Sequence, residues 1–207
     1  MRVRGPIVLA SRNRGKLREL LDLASGALEL VPLPDDPPPP EVAEDQPTYL
    51  GNATKKAVAI ARFTGRPALA DDSGLEVDAL GGTPGVRSAR YGGLGLDDAG
   101  RYRRLLSELA GVSNRRARFR CAVVLADGDD HVSAEGVVEG SIGDAPRGDG
   151  GFGYDPIFVV DGFGGRTMAE LSRDEKNRVS HRARAMRALV AKLGVTSAEP
   201  SSGPRSH

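Results

Sequence analysis

The chain has no tryptophan and few other aromatics among its 207 residues, so any core must be aliphatic. It has one cysteine, Cys121, which excludes an internal disulfide. Set in an apolar run, this thiol reads as buried and inert, in keeping with a reducing, cytoplasmic setting. No stretch approaches the length of a membrane span, and the apolar run in residues 1–10 is too short for a signal peptide. The formal charge is +1, so no global basic field points to a nucleic acid polymer or a membrane surface. Lysine is scarce as well: arginine outnumbers it 24 to 5. The few lysines are worth locating, because a compact ammonium and a planar guanidinium are not interchangeable at a phosphate.

What is present reads as one α/β domain over residues 1–195, with a Ser/Pro/Gly-rich tail, 196–207, expected to be disordered. Pro6 to Ala10 is a buried-type strand, and leucines at helical spacing follow from about Arg14 to Ala24. The polar loop between them carries Ser11, Arg12, Asn13, Arg14, Gly15 and Lys16. A loop that opens a helix presents free N–H groups and the positive end of the helix dipole, which suits an anion. A plain strand-to-helix connection capped by Ser11 or Asn13 is the alternative. Leu28 to Pro32 reads as a second strand, and Pro34 to Pro40 as a stiff connector. The acids Glu41, Glu44 and Asp45 precede a helix that Thr48 could cap and that carries Lys55 and Lys56.

The most informative run is Pro67 to Gly85. An apolar strand, Pro67 to Ala70, runs into Asp71-Asp72-Ser73-Gly74. Adjacent residues of a strand point to opposite faces, so one Asp can face a cleft while the other anchors the turn. Two carboxylates there are costly unless a cation or donors meet them. They read either as a divalent-metal or general-base site, or as an Asx turn that ends the strand.

Farther on, a helix starts at Asp97 or Asp98 and carries Arg101, Arg103 and Arg104 on an outward, solvated face. Asp127-Gly-Asp-Asp130 separates two strands as a hairpin turn. Gly148 to Gly153 matches G-x-G-x-x-G but leads into a strand rather than a helix, which excludes the dinucleotide reading. It remains a glycine-rich approach to two aromatics, Phe152 and Tyr154, and to Asp155. Ser172 and Glu175 have capping-box spacing and open a helix bearing Lys176, before a last helix near His181 and Arg182.

Cationic groups at the first loop, Lys56, Lys176 and Arg182, together with the acids Glu44, Asp71 and Asp72, suit a nucleoside triphosphate with a hard divalent ion. The lack of Cys/His pairs argues against zinc. The motifs Ser11–Lys16, Ala70–Leu75, Leu80–Gly85, Ser88–Tyr91, Gly150–Pro156, Glu175-Lys176 and Ser180–Arg182 resemble, in order and spacing, the Ham1/RdgB family of inosine/xanthosine triphosphate pyrophosphatases. The resemblance spans roughly residues 6–193.

It implies a mixed central sheet flanked by helices, bilobed, with the substrate cleft between the lobes. It also implies Mg²⁺-dependent hydrolysis of ITP, dITP and XTP to monophosphate and pyrophosphate, by a homodimer that cleanses the nucleotide pool. Asp72 would then be catalytic and share the metal with Glu44. Residues 11–16, Lys56 and Lys176 would hold phosphates, and Ser73 would contact substrate. Phe152, Gly153, Tyr154 and Asp155 would stack on and hydrogen-bond the base, with His181 and Arg182 reading its edge. Two positions depart from the family pattern: Arg12 stands where a glycine is usual, and Gly51 where a glutamate is usual. A non-enzymatic nucleotide or single-stranded RNA binder and a Maf-like hydrolase are the competing readings.

Overall fold

A computed structural model describes residues 5–93 and 95–194. The expected disordered tail, 196–207, lies outside the described residues. Six strands form one open mixed sheet in the order β2-β1-β3-β4-β5-β6. They are β1 (Ile7–Leu9), β2 (Leu30–Pro32), β3 (Ala68–Val77), β4 (Arg116–Asp127), β5 (Asp130–Ile142) and β6 (Phe158–Val160). β1 runs parallel to β2 and β3, whereas β3, β4, β5 and β6 pair antiparallel in succession. The helices are α1 (Arg14–Ala24), α2 (Tyr49–Thr64), α3 (Asp98–Glu108), α4 (Arg173–Val179) and α5 (His181–Leu193). No helix among the described residues is long and apolar enough to cross a membrane.

The helix boundaries follow local chemistry. Asn13 caps α1 by accepting from the Lys16 amide at 3.0 Å, and Thr48 caps α2 by accepting from the Gly51 amide at 3.0 Å. Ser172 and Glu175 form a reciprocal capping box on α4. Ser180 ends α4 and caps α5, which turns the chain sharply just before His181. α2 lays the small residues Ala53, Ala57 and Ala61 against the sheet, and burying Ile60 among them contributes about 1.5–3 kcal/mol.

One sequence expectation needs correction. The strand does not end at Ala70. β3 continues through both acids, Ser73 and Gly74 to Val77, because β4 pairs with it at every step from Ala68↔Ala126 to Val77↔Ala117. No Asx turn forms at Asp71 and Asp72; they lie mid-strand. The chain turns only after Val77, through the 3₁₀ segment Asp78–Leu80 and glycines 81 and 82.

Buried side chains gather in three clusters. Two of them flank one end of β3: Leu69 packs with α1 and α5, and Ala68 and Ala70 pack with α2. The third holds its other end, Leu75 and Val77, with α3, β6 and Tyr154. Residues 71–74 fall between these masses.

Candidate active site

A cavity of about 410 Å³ opens beside the midpoint of β3. Its wall begins at the end of β1 with Ala10, Ser11, Arg12, Asn13 and Lys16, and includes Glu44 and Lys56. Asp72, Ser73 and Gly74 form part of it, and Phe152 to Asp155, Lys176, His181 and Arg182 line it as well. Arg14 and Gly15 are not among the lining residues. Arg14 is exposed at the start of α1. Gly15 serves Phe152 instead: a Cβ there would come within 2.6 Å of the Phe152 ring.

The pleat of β3 separates the two acids. Asp71 is fully buried, and its carboxylate receives the Arg182 guanidinium at 3.0 and 3.1 Å and the Lys16 ammonium at 3.3 Å. Burial works to raise its pKa, but Lys16, Arg182 and Lys56 outweigh it and hold Asp71 well below the usual carboxylate range. Asp72 turns to the other face. It makes no ion pair among the described residues and accepts from Asn52 Nδ2 at 2.9 Å. Burial pushes its pKa up, against the pull of Lys16 and Lys56. Asp71 is therefore a fixed anion that anchors cations, while Asp72 is the more basic carboxylate at the cavity wall.

Lys56 bridges the two sides of this centre. Its ammonium donates to Glu44 at 2.6 Å and to the Asp71 carbonyl at 2.7 Å. Burial opposes its charge, yet Asp71, Glu44 and Asp72 keep it protonated. Arg90 adds a hydrogen bond to the Glu44 carbonyl at 2.9 Å, so the irregular segment that carries Glu44 is tied down at both ends of that residue. Lys55, the neighbour on α2, points outward and pairs with Asp45.

At the aromatic end, Lys176 lies between Asp155 at 2.6 Å and Glu19 at 2.7 Å. Burial disfavours its charge, but the two acids keep it protonated. Glu19 also pairs with Arg182, which further donates to Ser73 Oγ at 2.9 Å. The Phe152 ring has Lys176 at 5.3 Å and Arg182 at 5.6 Å from its centroid, a cation–π arrangement on a flat wall. Asp155 accepts from the Phe152 amide at 2.8 Å and so fixes the loop. Tyr154 is buried and donates to the Ser88 carbonyl at 2.9 Å. His181 stacks on Phe119 at 4.8 Å, and burial with neighbouring Arg182 and Lys176 keeps it neutral, well below its ordinary pKa.

The chain that brings these lysines, a basic carboxylate and a cation-backed aromatic wall to one cavity has known relatives. The Ham1 family model matches residues 7–192. The chain belongs to the Ham1 family. A dITP/XTP pyrophosphatase from Geobacter sulfurreducens is 50% identical over 192 residues, covering 91% of this chain and 96% of the relative. Another from Geobacillus kaustophilus is also 50% identical, covering 88% and 91% respectively. Among solved structures, a HAM1 protein from Coxiella burnetii superposes with a TM-score of 0.83 at 41% identity, covering 92% of this chain and 99% of the other. The fold is thus that of Ham1 proteins, as the motif resemblance implied.

Sequence reasoning overlooked several residues of this Ham1 site: Glu19, Asn52, Ser88, Asp98, Arg101 and Phe119. Asn52 had a signal, since a polar residue on the otherwise apolar stripe of α2 needs a buried partner. Glu19 lies one turn beyond Lys16 on α1 and had none beyond that spacing. Arg101 was placed on a solvated face, but it lines the cavity; Arg103 and Arg104 are the exposed ones.

Proposed function

We propose that this protein hydrolyses non-standard purine nucleoside triphosphates, ITP, dITP and XTP, to the monophosphate and pyrophosphate. The observation that carries this reading is the division of labour between Asp71 and Asp72 beside Lys16 and Lys56. One carboxylate holds the cations; the other makes no ion pair among the described residues and is raised in basicity.

In this reading the triphosphate lies along Ser11 to Lys16 and Lys56, with Asn13 and Lys16 at the dipole-positive start of α1. Water attacks the α-phosphorus, the bond from that phosphorus to the bridging oxygen breaks, and pyrophosphate leaves. Asp72 takes the water's proton. Asn52 orients Asp72 through its amide, and Lys56 and Lys16 balance charge that develops on the phosphate oxygens. The base lies on Phe152, with Tyr154, Asp155 and His181 around it.

The donor set fits Mg²⁺. Glu44 and Asp72 bring hard carboxylate oxygens to one cavity, and no cluster of three or more His, Cys, Asp or Glu residues among the described residues builds a protein-only cage. Mg²⁺ typically takes one or two carboxylates and fills its remaining positions with waters and substrate phosphates. When bound, it supplies electrostatic neutralisation of the phosphates. We further propose that residues 1–195 act as a single bilobed unit around this cleft, as a cytoplasmic homodimer that keeps such bases out of DNA and RNA.

The test is pyrophosphate release from ITP, XTP and dITP against ATP and GTP, with and without Mg²⁺. Selective, EDTA-sensitive turnover of the first three is expected; equal turnover of all five would sink the reading. Asp72→Asn is expected to retain nucleotide binding while losing nearly all turnover. Substantial residual activity would remove Asp72 from this role.

A further inference from the structure

Three cations border the aromatic end of the cavity, and two of them are already engaged. Lys176 is held by Asp155 and Glu19, and Arg182 by Asp71, Glu19 and Ser73. The third is Arg101, from the first turns of α3. Its Nη1 donates to Asp98 Oδ1 at 3.0 Å, and that is its one hydrogen bond among the described residues. Its Nε is buried without an acceptor. Asp98 in turn accepts from the Gly153 amide at 2.8 Å, through its other oxygen. The same carboxylate therefore clamps the guanidinium of α3 to the loop that carries Phe152 and Tyr154. Both Asp98 and Arg101 line the cavity. A guanidinium has five donors and cannot shed its charge, so this one keeps unused donors at the wall.

The geometry points to Arg101 as a specificity-determining contact, donating to an oxygen acceptor on the nucleoside half of the substrate. This rests on the nucleotide reading of the cavity given above. Two oxygens of such substrates have the required chemistry and vary between them. One is the 2-oxo group of xanthine, which hypoxanthine lacks and guanine replaces by an amino donor. The other is the ribose 2′-hydroxyl, which dITP lacks. In either case a fixed donor is rewarded by an acceptor and left unpaired without it, which is how a polar site discriminates strongly.

Arg101→Met keeps an unbranched stem against the wall and removes every donor. Its kcat/KM on XTP, ITP and dITP, with wild type beside it, separates the sources. A fall of roughly tenfold on XTP relative to ITP, the loss of one charge-assisted hydrogen bond, assigns the base oxygen. A similar fall on ITP relative to dITP assigns the 2′-hydroxyl. Unchanged ratios across the three substrates overturn the inference, whatever the absolute rates. Arg103→Met, exposed on the same helix, is expected to leave all three rates as they are. Should Arg101→Met fail to fold, Arg101→Leu, a shorter apolar side chain that also removes every donor, is read by the same ratios. Wild-type protein that turns over none of these nucleotides would instead defeat the functional reading itself, so the two failures are distinguishable.

Discussion

At the scale of single residues, the adjacent acids behave oppositely because their surroundings do. Asp71 is buried against Arg182 and Lys16. Removing Arg182 leaves a buried charge short of its partner, so Arg182→Met is expected to cost about 3–5 kcal/mol in urea unfolding. Asp71 has a depressed pKa in the folded state, so its stabilisation is complete above the unfolded carboxylate value. That stabilisation is lost only as pH falls through the depressed one, in strong acid. For Asp72 the sign reverses: burial raises its pKa in the metal-free protein, so its share of stability is present below the ordinary carboxylate range and is lost as pH rises through its folded value, which urea unfolding without Mg²⁺ across that range would read. The sequence showed the two acids and their opposite faces, but not which partner each would meet. Arg182 is far away in the chain, and its engagement with Asp71, Glu19 and Ser73 is a tertiary fact that spacing does not encode.

At the scale of elements, most helix limits were legible because capping is local chemistry. Asn13, Thr48, Asp97, Ser172 and Ser180 each cap the helix that the pattern predicted. The course of β3 was misread because Asp, Ser and Gly have turn propensity, and pairing to β4 overrides it. Gly74 explains why glycine stands in the middle of a strand. A Cβ there would collide with the Gly85 carbonyl and Ser88 Oγ, and would lie 2.9 Å from the Tyr49 hydroxyl. Ser88 also accepts from the Leu75 amide at 2.9 Å, locking its own 3₁₀ segment, Gly85–Arg90, onto the strand. Gly74→Ala is therefore expected to lower the melting temperature by several degrees, corresponding to about 1–3 kcal/mol of overpacking. A melting temperature equal to wild type would show that this approach is looser than described.

At the scale of the whole molecule, β3 and β4 run through every cluster of the core and hold the cavity wall between two packed masses. Composition anticipated the aliphatic interior, but it could not reveal that arginines and acids neutralise each other inside the site. The carboxylates of the proposed metal pair stand on unlike supports. Asp72 lies in a strand that β4 pairs along its whole length, whereas Glu44 belongs to the irregular stretch between β2 and α2. Half of the site is thus rigid before any ligand arrives, and the other half hangs on Lys56 and Arg90. In hydrogen–deuterium exchange, the amides of residues 71–74 should be slow from the outset, and those of 41–46 should slow when nucleotide and Mg²⁺ are added. Affinity for the ion would then be set by how readily a loop settles. Substitutions among the prolines at 37–40 would tune it without touching a single ligand.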